Sequence, residues 1–396
     1  MQITTRDCPP RTVWALEQAG VHPLLARLFA ARGVQAPEEL DDNLVKLLSP
    51  NTLKGIDEAA QILVEAIEQQ AHICIVADYD CDGATACAVG IRGLRMLGSK
   101  NAHYLVPDRV ADGYGLTPGI ASRVKASGAA VLVTVDNGIA SFEGVEKAHE
   151  LGMKVVVTDH HLPAMRDGIV AVPDADAIVN PNQPGCDFAS KTIAGVGVMF
   201  YVLLRMRALM RDAGVFDATT QPKLDHLLPL VALGTVADVV SLDANNRRLV
   251  AQGLRRIRAG LLPVGMSALF QIAGRQPQVA NTADFGFALG PRLNAAGRLA
   301  DMTLGIECLV TDDLSRATEL AQSLDRINRE RKTIEGHMRD QALALAEDML
   351  DSDAHIPAAI CIFDPDFHEG VVGIVASRLK DKWHRPTFVF AMSQGD

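Results

Sequence analysis

The chain has 396 residues, 48% of them hydrophobic and 5% aromatic, with a formal net charge of −10. That length allows two or three domains with a sizeable core, and no run of eighteen apolar residues offers a membrane-crossing helix. Seven cysteines without CxxC spacing give no zinc knuckle or disulfide framework and fit a reducing, cytoplasmic setting, and the opening MQITTRDCPPRTVW lacks the features of an export signal.

Residues 1–50 read as an N-terminal helical extension, with an amphipathic VHPLLARLFAARGV and a Pro-started, acid-rich helix opening in QAPEELDDNL. From residue 72 the chain alternates: strand 72–77, helix 84–97, strand 102–106, helix 117–127, strand 130–135, helix 141–151, strand 154–158. This series predicts an α/β fold with a mostly parallel sheet. A last strand at 178–180 leads through NPNQPGCD into an apolar helix over 193–210 and then LDHLLPLVALGTVADVVSL. Residues 51–312 are thus expected to form the main domain. A helix over 313–350, with Leu320, Leu324, Ile327, Ile334 and Met338 on one stripe, reads as a connector between two lobes. Beyond it, AAICIFD, GVVGIVASRLKDKW and TFVFAM predict strand, helix and strand of a smaller α/β domain over 351–396, with the chain stopping partway through it.

The chemistry concentrates at HICIVADYDCDGATACAV, residues 72–89, where a buried-strand pattern ends in Asp78, Asp80 and Asp82 before a helix. In a parallel sheet the carboxyl ends of the strands form the ligand-binding edge. Crowded carboxylates need water, a basic neighbour or a divalent cation, and the nearest basic residue in sequence is Arg92. Aspartates at a helix start are also good caps, so this turn alone leaves both readings open. Repetition favours the cation: VLVTVDNG at 131–138 and KVVVTDHH at 154–161 are β-branched runs that also end in metal-type ligands. Asp238 interrupts an apolar stretch and needs a cation, a donor or solvent, unless it caps the following turn.

The adjacent His160 and His161 are expected to point to opposite sides of a strand end, one toward a metal and the other toward substrate. Cys81 reads as a packing residue. Carboxylates with imidazole and no thiolate suit Mn²⁺ or Mg²⁺. Asp80, Asp82, Asp136, His160 and Asp238 form a donor set for two such ions, which suits phosphoester hydrolysis. Between Arg247 and Arg298 the chain has eight arginines and one acid, Asp284, so this segment is locally cationic despite the negative total. Arg255, Arg256 and Arg258 read as a solvated helix face, and Arg292 and Arg298 carry the functional interest.

DYDCDG, VDNG, TDHH and ALGTVADVV, in this order, resemble the DHH phosphoesterase superfamily. PDRVADGYG at 107–115, GPRLNAAGRL at 290–299 and FHEGVVGIVASRL at 367–379 are similar to its branch of single-stranded-DNA-specific exonucleases. The resemblance implies a metal-dependent exonuclease that degrades single strands from the 5′ end in recombination and repair. It implies Mn²⁺ or Mg²⁺ held by Asp80, Asp82, Asp136, His160 and Asp238, with Asp136 bridging, His161 facing the scissile phosphate and Arg109 contacting it. Arg292, Asn294, Arg298, Ser377 and Arg378 would grip the strand and its 5′ terminus. His368 and the start of the helix near Gly370 would offer further phosphate contacts. Single-strand-binding protein and a helicase are partners implied by the resemblance alone.

Two departures stand out. Many members have a histidine where this chain has Val76, which leaves one ligand fewer unless Asp78 or water fills the gap and predicts a weaker first site. Full-length members also continue beyond the point where this chain stops. Two other readings remain open: a DHH hydrolase of small substrates such as pyrophosphate or short oligonucleotides, and a non-catalytic nucleic-acid-binding fragment.

Overall fold

The computed structural model describes residues 4–109, 112–166, 168–352 and 357–392. Val110 and Ala111 of the PDRVADGYG motif and the end of the chain at 394–396 lie outside them. Helices α1 (Pro10–Gln18) and α2 (Pro23–Ala30) enclose a small apolar cluster of Leu16, Ala26, Ala30 and Val34. The helix expected to open in QAPEELDDNL is only a 3-10 turn, Pro37–Leu40. Beyond it the backbone of Asp41 is extended, and Arg248 donates to the carbonyls of Glu38 and Asp41.

The αβ series then follows: α3 (Ile56–Glu68), β1 (Ile73–Ala77), α4 (Cys81–Met96), β2 (Ala102–Leu105), α5 (Pro118–Ala126), β3 (Val131–Val135), α6 (Phe142–Glu150) and β4 (Lys154–Thr158). A short antiparallel hairpin of β5 (Ala164–Arg166) and β6 (Ile169–Ala171), absent from the sequence expectations, precedes β7 (Ala177–Val179). Strands β2-β1-β3-β4-β7, in that spatial order, form one parallel sheet. Alternate side chains of β1 serve opposite faces. Ile73, Ile75 and Ala77 join the large core with α3, α4 and α7 (Gly195–Asp212), while Cys74 and Val76 join a second core under α5 and α6. Burial on both faces explains why the strands read as continuous apolar runs. Because β2 flanks β1 on one side and β3 on the other, the connections leave in opposite directions between β1 and β3, which opens a crevice at their carboxyl ends.

The rest of the large core comes from helices: α8 (Leu228–Ala237), α9 (Ala244–Arg258), α10 (Val264–Ile272), the short α11 (Thr282–Asp284), a π turn at Phe285–Leu289, α12 (Gly290–Leu299) and α13 (Thr303–Val310). Helix α14 (Leu314–Ser352) buries Ala317, Leu320, Ala321 and Leu324 in that core and Met338, Ala342 and Ala346 in another. The other core is built on parallel strands β8 (Ile360–Phe363) and β9 (Thr387–Phe390) with α15 (Val372–Trp383) between them.

The arginines of the arginine-rich segment bond neighbouring elements of the same chain. Arg255 and Arg258 are exposed as expected, Arg255 pairing with Asp42 at the surface and Arg258 donating to the Ala280 carbonyl, whereas Arg256 is drawn inward to Asp225. Arg248, Gln252 and Arg255 on α9 hold residues 38–42 of the N-terminal extension. Arg248→Ala therefore removes two part-buried hydrogen bonds to the carbonyls of Glu38 and Asp41 and should destabilise the extension by about 1–2 kcal/mol. Hydrogen exchange should accelerate across residues 23–48 and much less in the sheet; unchanged exchange there would contradict the staple.

Candidate metal centre and phosphate cleft

Each strand end supplies its ligands by a local device. After β1, Asp78 accepts from the Tyr79 amide and Asp80 caps α4, its Oδ1 accepting from Gly83 N at 2.9 Å. The helix therefore starts three residues earlier than its apolar pattern predicts, and Asp82 lies in its first turn. The capping reading and the ligand reading of this turn hold together in geometry. Asp82 is fully buried, and its two oxygens accept from Gly195 N at 2.6 Å and Val196 N at 3.0 Å, the first amides of α7. The positive end of that helix offsets part of the burial.

After β3, Asp136 has a left-handed backbone, φ 62°, which aspartate tolerates better than most residues. The turn drives its carboxylate against the start of α7, where a Cβ at Gly195 would lie 2.5 Å from Asp136 Oδ1. After β4, Asp159 is buried and accepts from the amides of Ile139, His160 and His161. Asn182 and Asn180 donate to the carbonyls of His160 and His161, fixing the histidine pair. The two rings do not point apart as expected for a strand, because β4 ends at Thr158; their centroids are 4.6 Å apart.

His160 Nε2 lies 3.1 Å from Asp136 Oδ1, 3.5 Å from Asp238 Oδ2 and 3.9 Å from Asp82 Oδ2. Asp238 reaches this point as the C-terminal cap of α8. Three of these buried atoms, Asp136 Oδ1, His160 Nε2 and Asp238 Oδ2, have no hydrogen-bond partner. Buried polar atoms are normally satisfied, so three orphans meeting at one point mark a place built for something else. Donor atoms of Asp82, His160 and Asp238, of Asp78, Asp80 and Asp136, and of Asp136, His160 and His161 each fall within 4.8 Å of one another. Oxygen and imidazole donors without thiolate fit hard divalent cations. Val76, by contrast, is buried under the sheet, and Asp78 stands two residues on beside Asp80 and Asp136.

The electrostatics agree with that fit. Burial, and then repulsion from Asp80, pushes Asp78 and Asp82 up to about 7. Burial and the neighbouring Asp82 do the same to Asp238, also about 7. Asp136 is raised well above the carboxylate range by burial and by Asp82, Asp80, Asp78 and Asp159. Asp159 behaves differently: burial opposes its charge, but the His161 hydrogen bond and charge outweigh it and hold the carboxyl below its usual value. In return, the 2.7 Å contact from Asp159 Oδ1 raises His161 Nδ1 to about 9.

Beside the carboxylates lies a cationic wall. Arg109 stacks over Tyr79 at 4.9 Å, Tyr79 meets Tyr114 edge-on at 5.9 Å, and Tyr114 meets His161 at 6.2 Å. Burial and the nearby Arg109 and Arg331 lower the Arg298 pKa, with Asp80 and Glu335 opposing them. Arg298 donates to the Gly370 carbonyl, linking α12 to the smaller core. On the same helix, Asn294 Oδ1 accepts from Cys81 N at 2.7 Å, and Arg292 grips buried Asp325 through Nε and Nη2 while Nη1 donates to Ala288. Cys81 itself is buried among apolar side chains. The Gly370 amide is taken by His368 Nδ1 at 3.0 Å, and α15 begins only at Val372, so the free amides expected near Gly370 are displaced. Ser377 is exposed farther along α15, as is Arg378, which lies 3.6 Å from Glu335.

A model of the DHH family, N-terminal domain, matches residues 72–235, the span that carries these strand ends. Over 375 residues the chain is 50% identical to the single-stranded-DNA-specific exonuclease RecJ of Salmonella typhimurium, covering 94% of this chain and 64% of that relative. A crystal structure of exonuclease RecJ bound to manganese superposes with a TM-score of 0.75 at 34% identity, covering 87% of this chain and 82% of that one. The chain belongs to the RecJ family. RecJ from Thermus thermophilus in complex with Mn²⁺ is also similar, with a TM-score of 0.77 and 33% identity over 97% of this chain and 52% of that one. The chain thus spans less than two thirds of the curated RecJ relative from Salmonella.

Sequence reasoning gives Asp159 and the NPNQ loop no role of their own; both support the RecJ histidine pair. For Asp78 the available signal is its position two residues beyond Val76, which leaves it open as a gap-filler. The carboxylate crowding generates a pH prediction. In the metal-free chain, Asp78, Asp82 and Asp238 favour folding while protonated, so their contribution is present below the unfolded value of 3.8 and lost as pH rises through about 7. Thermal unfolding with chelator should show this loss, and Mn²⁺ should raise the midpoint more at about pH 8 than at about pH 5. An equal metal-induced shift at both pH values would contradict the account.

Proposed function

We propose that this chain is the catalytic core of a metal-dependent exonuclease that hydrolyses phosphodiester bonds of single-stranded DNA from the 5′ end in recombination and repair. The observation that carries the reading is the meeting of three unsatisfied buried ligand atoms at the carboxyl edge of the sheet, in a chain of the RecJ family. Residues 51–312 are the catalytic unit, 313–350 the connector, 351–396 part of a phosphate- and nucleic-acid-binding unit, and 1–50 an accessory extension. A DNA substrate fits a cytoplasmic location, and among the described residues no helix is long and apolar enough to cross a membrane. Single-strand-binding protein and a helicase are the partners this reading implies.

Asp82, Asp136, His160 and Asp238 would hold one Mn²⁺ or Mg²⁺, and Asp78, Asp80 and Asp136 a second, with Asp136 shared. When bound, such ions lower the pKa of a water and stabilise charge on the attacking and leaving oxygens. The protein's own groups do the rest. His161, kept as an imidazolium by Asp159, presents a donor to the scissile phosphate. Arg109, aligned by the Tyr79 ring, contacts the same phosphate. Arg298, His368, Ser377 and Arg378 would take the strand and its 5′ terminus. Arg292 and Asn294 anchor α12, so that their effect on the strand runs largely through Arg298.

With Mn²⁺, the chain should release nucleotides from the 5′ end of a labelled single strand and leave the duplex intact. Chelator and Asp136→Ala should both abolish release. His161→Asn should lower turnover by about 10²–10⁴-fold while Mn²⁺ binding measured by calorimetry persists, whereas His160→Asn should weaken that binding. Hydrolysis of a dinucleotide but not of a long strand would replace this reading with a small-substrate phosphohydrolase.

A further inference from the structure

Two large apolar side chains on the Asp238 side of the centre are left uncovered by the described residues. Val239 follows Asp238 directly and is 85% exposed; Phe287, in the middle of the π turn, is 83% exposed. Val239 also has a left-handed backbone, φ 62°. It occupies the position after the α8 cap, with its amide donating to Val236, where glycine is the usual residue and a β-branched one is strained. Strain held at an exposed position points to a use for the side chain outside the fold.

Phe287 is presented by a comparable irregularity. Its neighbours Phe285, Ala288 and Leu289 are buried, and the wide turn leaves the ring outward; π turns of this kind often accompany functional sites. The turn packs on the end of α8, since a Cβ at Gly290 would lie 3.3 Å from Ala237 Cβ. From there α12 runs to Asn294, which bonds the Cys81 amide, and to Arg298 in the cationic wall. Gly290 and Arg298 are separated by about 12 Å along the helix at 1.5 Å per residue. The apolar pair and the guanidinium groups therefore lie toward opposite ends of α12, with the carboxylate cluster reached from both.

Resting on the nuclease reading above, we propose that Val239 and Phe287 form a nucleoside ledge: the base and sugar next to the scissile phosphate pack on them while Arg109 and Arg298 hold phosphates at the other end. Such a ledge recognises the presence of a base without reading its identity, because every base has an apolar face.

The test is anisotropy binding of labelled oligothymidine and of a length-matched abasic sugar-phosphate chain, with Ca²⁺ as the divalent ion. The wild-type chain should prefer oligothymidine by about tenfold. Val239→Gly and Phe287→Ala should each reduce that ratio, and Val239→Gly should at the same time raise the thermal midpoint by relieving the left-handed valine. A purely structural role for Val239 moves stability the other way. Binding of both chains with an unchanged ratio in both variants, or with no base preference in the wild type, overturns the ledge and leaves the nuclease reading standing. Failure of the wild type to bind either chain overturns both.

Discussion

The structure is organised around a repulsion. Five aspartates, Asp78, Asp80, Asp82, Asp136 and Asp238, converge at the carboxyl edge of a parallel sheet, and four of them are pushed toward the protonated state by burial and by one another. No cation among the described residues forms a close ion pair with Asp78 or Asp80. His160 reaches three of the carboxylates but is itself shifted down by burial, so it does not supply a lasting positive charge. The fold keeps these groups together by spreading their attachment over β1, β3, β4 and α8, so that no single turn has to bear the crowding.

Supporting interactions are placed accordingly. The first amides of α7 take both oxygens of Asp82, and Asn294 on α12 takes the Cys81 amide, so two helices from the later half of the chain lock the first motif. Asp159 is the one acid of this edge held ionised by a protein partner, His161, and the two thereby acquire opposite charges in a site otherwise dominated by unpaired acid. Arg292 and Arg298 extend the same logic outward: one fixes α12 to α14 through Asp325, and the other touches the smaller core at Gly370. The acids and the guanidinium groups are thus parts of one connected frame.

Much of this was legible in the chain. The five sheet strands lie within a residue or so of their expected limits, because β-branched runs buried on both faces leave an unambiguous pattern. Asp80, Asp82, Asp136 and His160 stand out by residue type after strand-like runs and Asp238 as an acid within an apolar run; donor atoms of Asp82, His160 and Asp238 meet in one group and those of Asp80 and Asp136 in another with Asp78. What escaped depended on contacts distant in sequence. Nothing local distinguishes Arg256, bound to Asp225, from a solvated arginine, and nothing local shows that Asp82 is held by residues more than a hundred positions away. Val239 and Phe287 read as ordinary apolar residues until their exposure is seen, and the opposite orientation expected for His160 and His161 failed because the strand ends before them.

The central claim is that these acids are arranged for divalent cations and not for one another. Anomalous diffraction from crystals of this chain soaked in Mn²⁺ tests it most directly. The account predicts two peaks, one among Asp82, Asp136, His160 and Asp238 and one among Asp78, Asp80 and Asp136. No peak at the carboxyl edge of the sheet, with the orphaned atoms of Asp136, His160 and Asp238 hydrogen-bonded to each other through protons instead, would contradict it.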